Sequence, residues 1–441
     1  MSNYLDEIVR LQKRGEARGI PSICSAHPWV LKAAMSHVPS GNRDYADGSV
    51  PTIPGDGPLL IESTCNQVNQ FGGYTGMTPA DFVAYVRGLS AENAFSADRL
   101  ILGGDHLGPG PWQKEPSASA MQKAADMLRD YVQAGFTKLH LDASMRLADD
   151  DPSRPLDVEL VARRTAILAR AAEETHANVL GSAQGLRYVI GSEVPIPGGA
   201  TVHEDRIRVT AVEDARRTLE AMQTAFVDAG MESAWKRVIA LVVQPGLEFG
   251  DDFVLDYNPA AARFLSRFAE TMPFVFEAHS TDYQTVASLR RLVQDHFAIL
   301  KVGPTLTYAF REAVFALVRM ENELIPPQEQ SCLVEILDEA MLQAPANWKD
   351  HYHGTLQEMA FSRKYSLSDR IRYYWGVPQV HSAFGRLLKN LGEKKLPPTL
   401  VSQFMPRQWE KVRSGQIRDT PEALIIDKVI SVLEVYDLAC G

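Results

Sequence analysis

Residues 99–109 read RLILGGDHLGP: an apolar run, two glycines, then Asp105 and His106 ahead of a proline turn. A run so nearly continuous in apolar residues is what a strand buried on both faces requires. After it, Met121, Ala124, Ala125, Leu128 and Val132 recur at helical spacing between Ser117 and Gly135, and Gly135 suits a C-terminal cap. Strand, polar turn and amphipathic helix make one β/α unit, and that unit repeats along the chain. The pattern predicts strands near 20–24, 58–64, 99–105, 137–142, 187–193, 237–244, 273–279 and 297–303. Eight such units predict a (β/α)8 TIM barrel, an α/β fold whose active sites form at the C-terminal ends of the strands.

Helix starts between the strands carry their own signals. Thr78-Pro79-Ala80-Asp81 offers an N-cap with proline at the first helical position, and Thr210 with Glu213 reads as a capping box. Near the N-terminus, Tyr4, Leu5, Ile8, Val9 and Leu11 fit a short helix that closes the barrel bottom. The chain has 441 residues, more than a barrel of roughly 250 to 350 residues needs. The division is therefore a barrel over 1–325 and a helical extension over 326–441, opened by Ile325-Pro326-Pro327. The extension either packs on the barrel as a cap or lies at an interface. Arg370, Arg372, Tyr373, Tyr374 and Trp375 are its candidate interface anchors.

Net charge of −10 and a pI near 5.6 argue against nucleic acid or an anionic membrane as partner, since both need clustered cationic surface. A small molecule or another protein is left, and homo-oligomerisation stays open. The four cysteines show no paired short spacing, which suits a reducing compartment. The N-terminal segment mixes both charges and does not read as a secretion signal, and no apolar run is long enough to cross a bilayer. A cytoplasmic location is expected.

The strand ends hold the chemistry. Asp105 and His106 sit within glycines that let backbone approach a ligand closely; the alternative is a polar turn capping the strand. Glu277 and His279 are two apart on one strand, so both can face the barrel mouth, or His279 is a hydrogen-bonded core residue. Glu193 precedes the stiff loop VPIPGG, Asp142 lies two residues after His140, and Glu62 ends the second strand, each also readable as a rim salt bridge. His106, Glu193 and His279 form a His/Glu/His set suited to a divalent metal, zinc above all, with an open coordination position. Asp105, Asp142 and Glu277 are the candidate acid/base groups. With a metal as Lewis acid, this set suits aldol cleavage or sugar epimerisation through an enediolate.

Two loops suggest the substrate. Lys301, Gly303 and Thr305 lead into a helix, which is either a phosphate cradle or an ordinary cap. Asn66 and Gln67 open an amide- and glycine-rich stretch running to Tyr74, either a sugar-binding lid or a solvated loop. No Walker-type loop and no dinucleotide fingerprint is present.

Seven segments together resemble one family: PSICSAHPWVLKAAM, IESTCNQVNQFGGYTGMTPADF, GGDHLGP, VIGSEVPIPGG, FEAHSTDYQ, LKVGPTLTYAFREA and SDRIRYYW. In this order they are similar to the non-catalytic subunits of class II D-tagatose-bisphosphate aldolase. The resemblance implies a (β/α)8 barrel in galactitol or N-acetylgalactosamine catabolism that supports a separate catalytic aldolase chain and takes a sugar phosphate. Members of that family also carry the labels tagatose-6-phosphate kinase and ketohexose or ketohexose-phosphate 4-epimerase. Asp105-His106 is similar to the pair with which class II aldolases supply acid/base and zinc ligand. Those enzymes use several histidines, whereas here only His106 and His279 are expected at strand ends.

Overall fold

The structure, a computed structural model, describes residues 2–37, 57–180, 185–191 and 207–441. Its strands are β1 Ile20–Cys24, β2 Leu59–Thr64, β3 Leu100–Leu107, β4 Lys138–Leu141, β5 Arg187–Ile190, β6 Val238–Val242, β7 Glu248–Phe249, β8 Val254–Leu255, β9 Val275–Ala278 and β10 Phe297–Val302. Eight of them close into a parallel barrel in the order β1-β10-β9-β6-β5-β4-β3-β2, with β7 and β8 a separate antiparallel ribbon. The (β/α)8 expectation is borne out.

Alternation along each strand stacks the barrel interior in layers. At the bottom, Ile20, Leu60, Ile101, Val189, Val275 and Ile299 form one buried apolar cluster with Leu5 and Ile8 of the helix Ser2–Lys13. That helix closes the lower mouth, as its apolar spacing predicts. One inward position higher, the layer becomes ionic: Glu62, Lys138, Glu277 and Lys301 are all buried. Lys138 Nζ lies 2.6 Å from both Glu62 and Glu277, and Lys301 pairs with Glu62 and, at 3.0 Å, with Asp105. Gly103 occupies the same level because a Cβ there would stand 2.6 Å from Glu62 Cγ. Above lie Cys24, Asp105, His140 and His279, at the C-terminal mouth.

Around the strands, Thr78 forms the expected capping box with Asp81, and Gly135 ends its helix at φ 99° in the left-handed region. The capping box at Thr210 does not form. The helix Val212–Asp228 begins after Ala211, and Thr210 instead exchanges two hydrogen bonds of 2.9 Å with Gln244 at the end of the β6 strand. The last helix, Pro421–Cys440, packs against β1 and the helices Pro28–Ser36, Val286–Gln294 and Pro304–Leu324. It thereby fills the outer ring between β10 and β1, and Tyr436 Oη donates to Thr281 O at 2.9 Å. None of the helices among the described residues is long and apolar enough to cross a membrane.

The ionic layer carries a test. Lys138→Met strips Glu62 and Glu277 of a shared buried partner, and breaking a buried pair costs about 3–5 kcal/mol. Urea denaturation should show a loss of that size; a change below about 1 kcal/mol would show that Lys301 alone suffices.

Candidate functional site

The site begins with a defect in a strand. Pairing of β3 with β4 shifts register between Gly104 and Leu107, and His106 adopts φ 49°. A bulge with a non-glycine residue in the left-handed region lets consecutive side chains, Asp105 and His106, turn to the same mouth. Gly108 completes the turn, since a Cβ there would lie 1.6 Å from Asp142 O.

Three histidines and three carboxylates then interlock. His106 Nδ1 lies 2.8 Å from Asp142 Oδ2, His140 Nδ1 lies 2.8 Å from Asp105 Oδ1, and His279 Nε2 lies 3.0 Å from Glu277 Oε1. Each ring thus has one nitrogen fixed by a carboxylate, as metal-bound histidines generally do. The rings meet at centroid distances of 4.8–5.2 Å. One donor atom from each of Asp105, His106, His140 and His279 falls within 4.8 Å of the others. His140 Nε2 is buried with no hydrogen-bond partner, so this donor set suits a divalent metal both in kind and in leaving a donor free.

Electrostatics sorts the groups into fixed charge states. Burial alone would raise Asp105, but the neighbouring His106 and Lys301 charges hold it well below the usual carboxylate range. Glu277 is likewise opposed by burial and held low by Lys138 and Lys301. Burial pushes His279 down to about 4 despite Glu277, whereas in His106 the pull of Asp105 and Asp142 outweighs burial and raises it. Asp142 is held low against burial by its hydrogen bond to His106.

Over this cluster opens a cavity of about 490 Å³, within the range of small-molecule sites. Asp105, His106, His279, Lys301, Asn66, Gln67 and Gly303 line it, as do Arg372, Tyr373 and Trp375 from the extension. A model of the family described as D-tagatose-1,6-bisphosphate aldolase subunit GatZ/KbaZ-like matches residues 5–441. The chain belongs to the GatZ/KbaZ-like family. The D-tagatose-1,6-bisphosphate aldolase subunit GatZ of Salmonella heidelberg (strain SL476) is 50% identical over 437 residues, 99% of each chain. The GatZ subunit of Salmonella typhimurium (strain LT2) is 50% identical over 436 residues, again 99% of each chain. A solved structure of a probable tagatose 6 phosphate kinase from Sinorhizobium meliloti 1021 superposes with a TM-score of 0.85 at 43% identity, covering 96% of this chain and 100% of that one.

In this member of the GatZ/KbaZ-like family, the residues singled out by sequence divide into four groups. Asp105, His106, His279, Lys301, Asn66, Gln67 and Gly303 meet at the pocket. Asp142 and Glu277 stand behind His106 and His279 and orient them. Glu193 lies outside the described residues. Thr305 joins the site through its backbone: its amide and that of Gly303 donate to Asp282 Oδ1 at 2.8 and 3.0 Å. The turn read as a phosphate cradle is therefore filled by a carboxylate, which burial pushes up to about 6 against those two amides.

The aromatic and arginine stretch, expected as a cap or at an interface, is tied to its own barrel through Asp369. Arg370, Tyr374 and Trp375 are buried within the chain, and Arg372 and Tyr373 are half-buried at the pocket wall. Sequence reasoning missed His140, Lys138 and Asp282 as site residues. His140 is two residues before Asp142 and Lys138 two before His140, so period-2 counting back from Asp142 was the available signal.

His279 gives a pH prediction for metal-free protein. Its folded-state value near 4 lies below the ordinary histidine value of about 6.5, so its stabilising contribution is full above pH 6.5 and is lost as pH falls through 4. His279→Gln should flatten the decline in urea midpoint between pH 6.5 and 4 relative to wild type. Identical slopes would mean that His279 binds its proton equally well in the folded and unfolded chain.

Proposed function

We propose that this chain is the accessory subunit of a class II tagatose-bisphosphate aldolase, and that its barrel holds a metal-type pocket for a sugar phosphate. Full-length likeness to GatZ subunits supports the first part. The second rests on one observation, the convergence of Asp105, His106, His140 and His279, three of which line the cavity. A cytoplasmic location belongs to the same reading.

His106, His140 and His279 would hold a divalent metal, zinc by donor type, and reach three ligands without Glu193. Such an ion supplies Lewis-acid polarisation of a carbonyl oxygen. The chain's own residues do the rest. Asp105, kept ionised by His106 and Lys301, is placed to take or return a proton at the pocket floor. Asp142 and Glu277 fix the ring orientations of His106 and His279. Asn66 and Gln67 put amides at the rim, where sugar hydroxyls need donors and acceptors.

One observation favours a second reading. Asp105, the histidine rings and the cations Lys301 and Arg372 stand together at one site. That suits a ketohexose or ketohexose-phosphate 4-epimerase working by retro-aldol cleavage, rotation of the aldehyde and re-addition. Kinase activity, the third label, has no Walker-type loop to support it.

Co-expression with a class II tagatose-bisphosphate aldolase catalytic subunit should yield a co-purifying complex and lengthen the aldolase's half-life. An aldolase equally stable without this chain would remove the accessory reading. The purified chain alone, given tagatose 6-phosphate with and without zinc, decides the epimerase: fructose 6-phosphate should accumulate only with metal. Elemental analysis should find about one divalent metal per chain. His140→Ala should lower that content at least roughly tenfold, as loss of a ligand does; unchanged content would take His140 out of the donor set.

A further inference from the structure

The segment from Ser366 to Trp375 brings the pocket a cation that the strands do not supply. It is locked down at several points. Asp369, at φ 47°, accepts from Thr307 Oγ1 at 2.6 Å and from Arg311 Nε at 3.1 Å, both on the helix Pro304–Leu324. Ser366 and Ser368 donate to Asp251 Oδ1 at 2.8 and 2.7 Å, and Tyr283 Oη donates to Leu367 O at 2.5 Å. A left-handed, buried aspartate tied to two barrel side chains marks a turn whose shape is over-determined.

That turn aims Arg372. Its guanidinium donates to the carbonyls of Ser368 and Asp369 and, at 2.8 Å, to Tyr373 Oη, and it lies 4.5 Å from the centre of the Tyr373 ring. These acceptors are neutral, as is Tyr74, with which it also forms a hydrogen bond; its charge acts on Asp282 and Asp369, but among the described residues no carboxylate oxygen comes within 4.0 Å of it. A guanidinium has five N–H donors, so capacity is left over. Lys301, the other cation of the cavity, is by contrast consumed by Glu62, Asp105 and Glu277. Three residues beyond Arg372, Trp375 is 7% exposed and lines the same cavity, and its Nε1–H is buried without an acceptor. A buried indole N–H left unpaired is a donor in want of a ligand oxygen.

The usual barrel position for a phosphate is closed. The Gly303 and Thr305 amides already hold Asp282, and an anion approaching that turn would meet its carboxylate. We propose that Arg372, with the unpaired Trp375 N–H lining the same cavity, receives the phosphate of the bound sugar, and that Asp282 keeps the phosphate off the strand-end turn. The extension, and not the β10 loop, then sets the preference for a phosphorylated over a neutral ketohexose. This assignment rests on the sugar-phosphate reading of the pocket.

Isothermal titration of the full chain with tagatose 6-phosphate and with tagatose tests it. Wild type should bind the phosphorylated sugar roughly tenfold or more tighter, the worth of one charge-assisted contact. Arg372→Gln should bring the ratio close to one, and Arg372→Lys should retain most of it. Trp375→Phe, which removes only the N–H donor, should lower the ratio about threefold to tenfold. Thermal melts by circular dichroism check folding, and the two conservative variants keep the test valid if Arg372→Gln does not fold. A wild-type preference that survives undiminished in Arg372→Gln, or in Trp375→Phe where Arg372→Gln does not fold, overturns the assignment while leaving the sugar-phosphate pocket standing. Wild type that binds neither sugar overturns both the pocket and this assignment, and co-expression with the aldolase subunit then reports the accessory role by itself.

Discussion

The fold and the site share the buried ionic layer of the barrel. Two lysines, Lys138 and Lys301, bind three carboxylates, Glu62, Glu277 and Asp105, with little or no solvent contact. Charges in such a place persist only if each is paired, because desolvation of an unpaired ion costs several kcal/mol. The layer therefore fixes strand positions around the barrel: Lys138 on β4 reaches β2 and β9, and Lys301 on β10 reaches β2, β3 and β9. Barrels are more often filled at this level with branched apolar side chains. Here apolar filling is confined to the bottom layer, and the stability forgone above it supports a set of fixed charges directly beneath the pocket.

Those charges shape the chemistry one level up. Lys301 holds Asp105 ionised, Asp105 holds the His140 ring, and Glu277, itself clamped by Lys138, holds His279. A histidine whose second nitrogen is pinned by a carboxylate has a set tautomer and a set direction. Preorganisation thus runs upward from the lysines to the rings. Substitution at Lys138, which does not line the cavity, reaches the mouth through Glu277 and His279.

The barrel was legible in the sequence because its strands are short, apolar and regularly spaced, and because helix signals such as Thr78 and Gly135 act locally. Asp105, His106 and His279 were legible as polar ends of apolar runs. What escaped was whatever depends on contact between distant residues. Lys138 and His140 look like ordinary polar positions inside a strand until the barrel closes and puts Glu62 and Asp105 against them. The turn after β10 has the glycine and hydroxyls of a phosphate cradle, yet Asp282, which fills it, comes from the β9 side, 21 residues before Gly303. Composition showed that SDRIRYYW is rich in anchors, but it could not show that the partner those anchors find is this chain's own barrel.

That last point bears on how the extension is built. A segment merely added to a complete barrel would leave the outer ring closed without it. Here the helix Pro421–Cys440 fills the ring position between the last strand and the first, with Cys440 O accepting from Gly19 N at 3.0 Å just ahead of β1. The chain must therefore run from the helix Pro304–Leu324 through residues 326–420 before it returns to close the barrel, and that excursion passes over the C-terminal mouth. Ser366 to Trp375 lies on it, anchored by Asp369 to Thr307 and Arg311. Because both ends of the excursion are fixed by the barrel wall, its entropy on forming a pocket lining is smaller than for a free tail. A residue such as Arg372 can then be positioned as firmly as one on a strand.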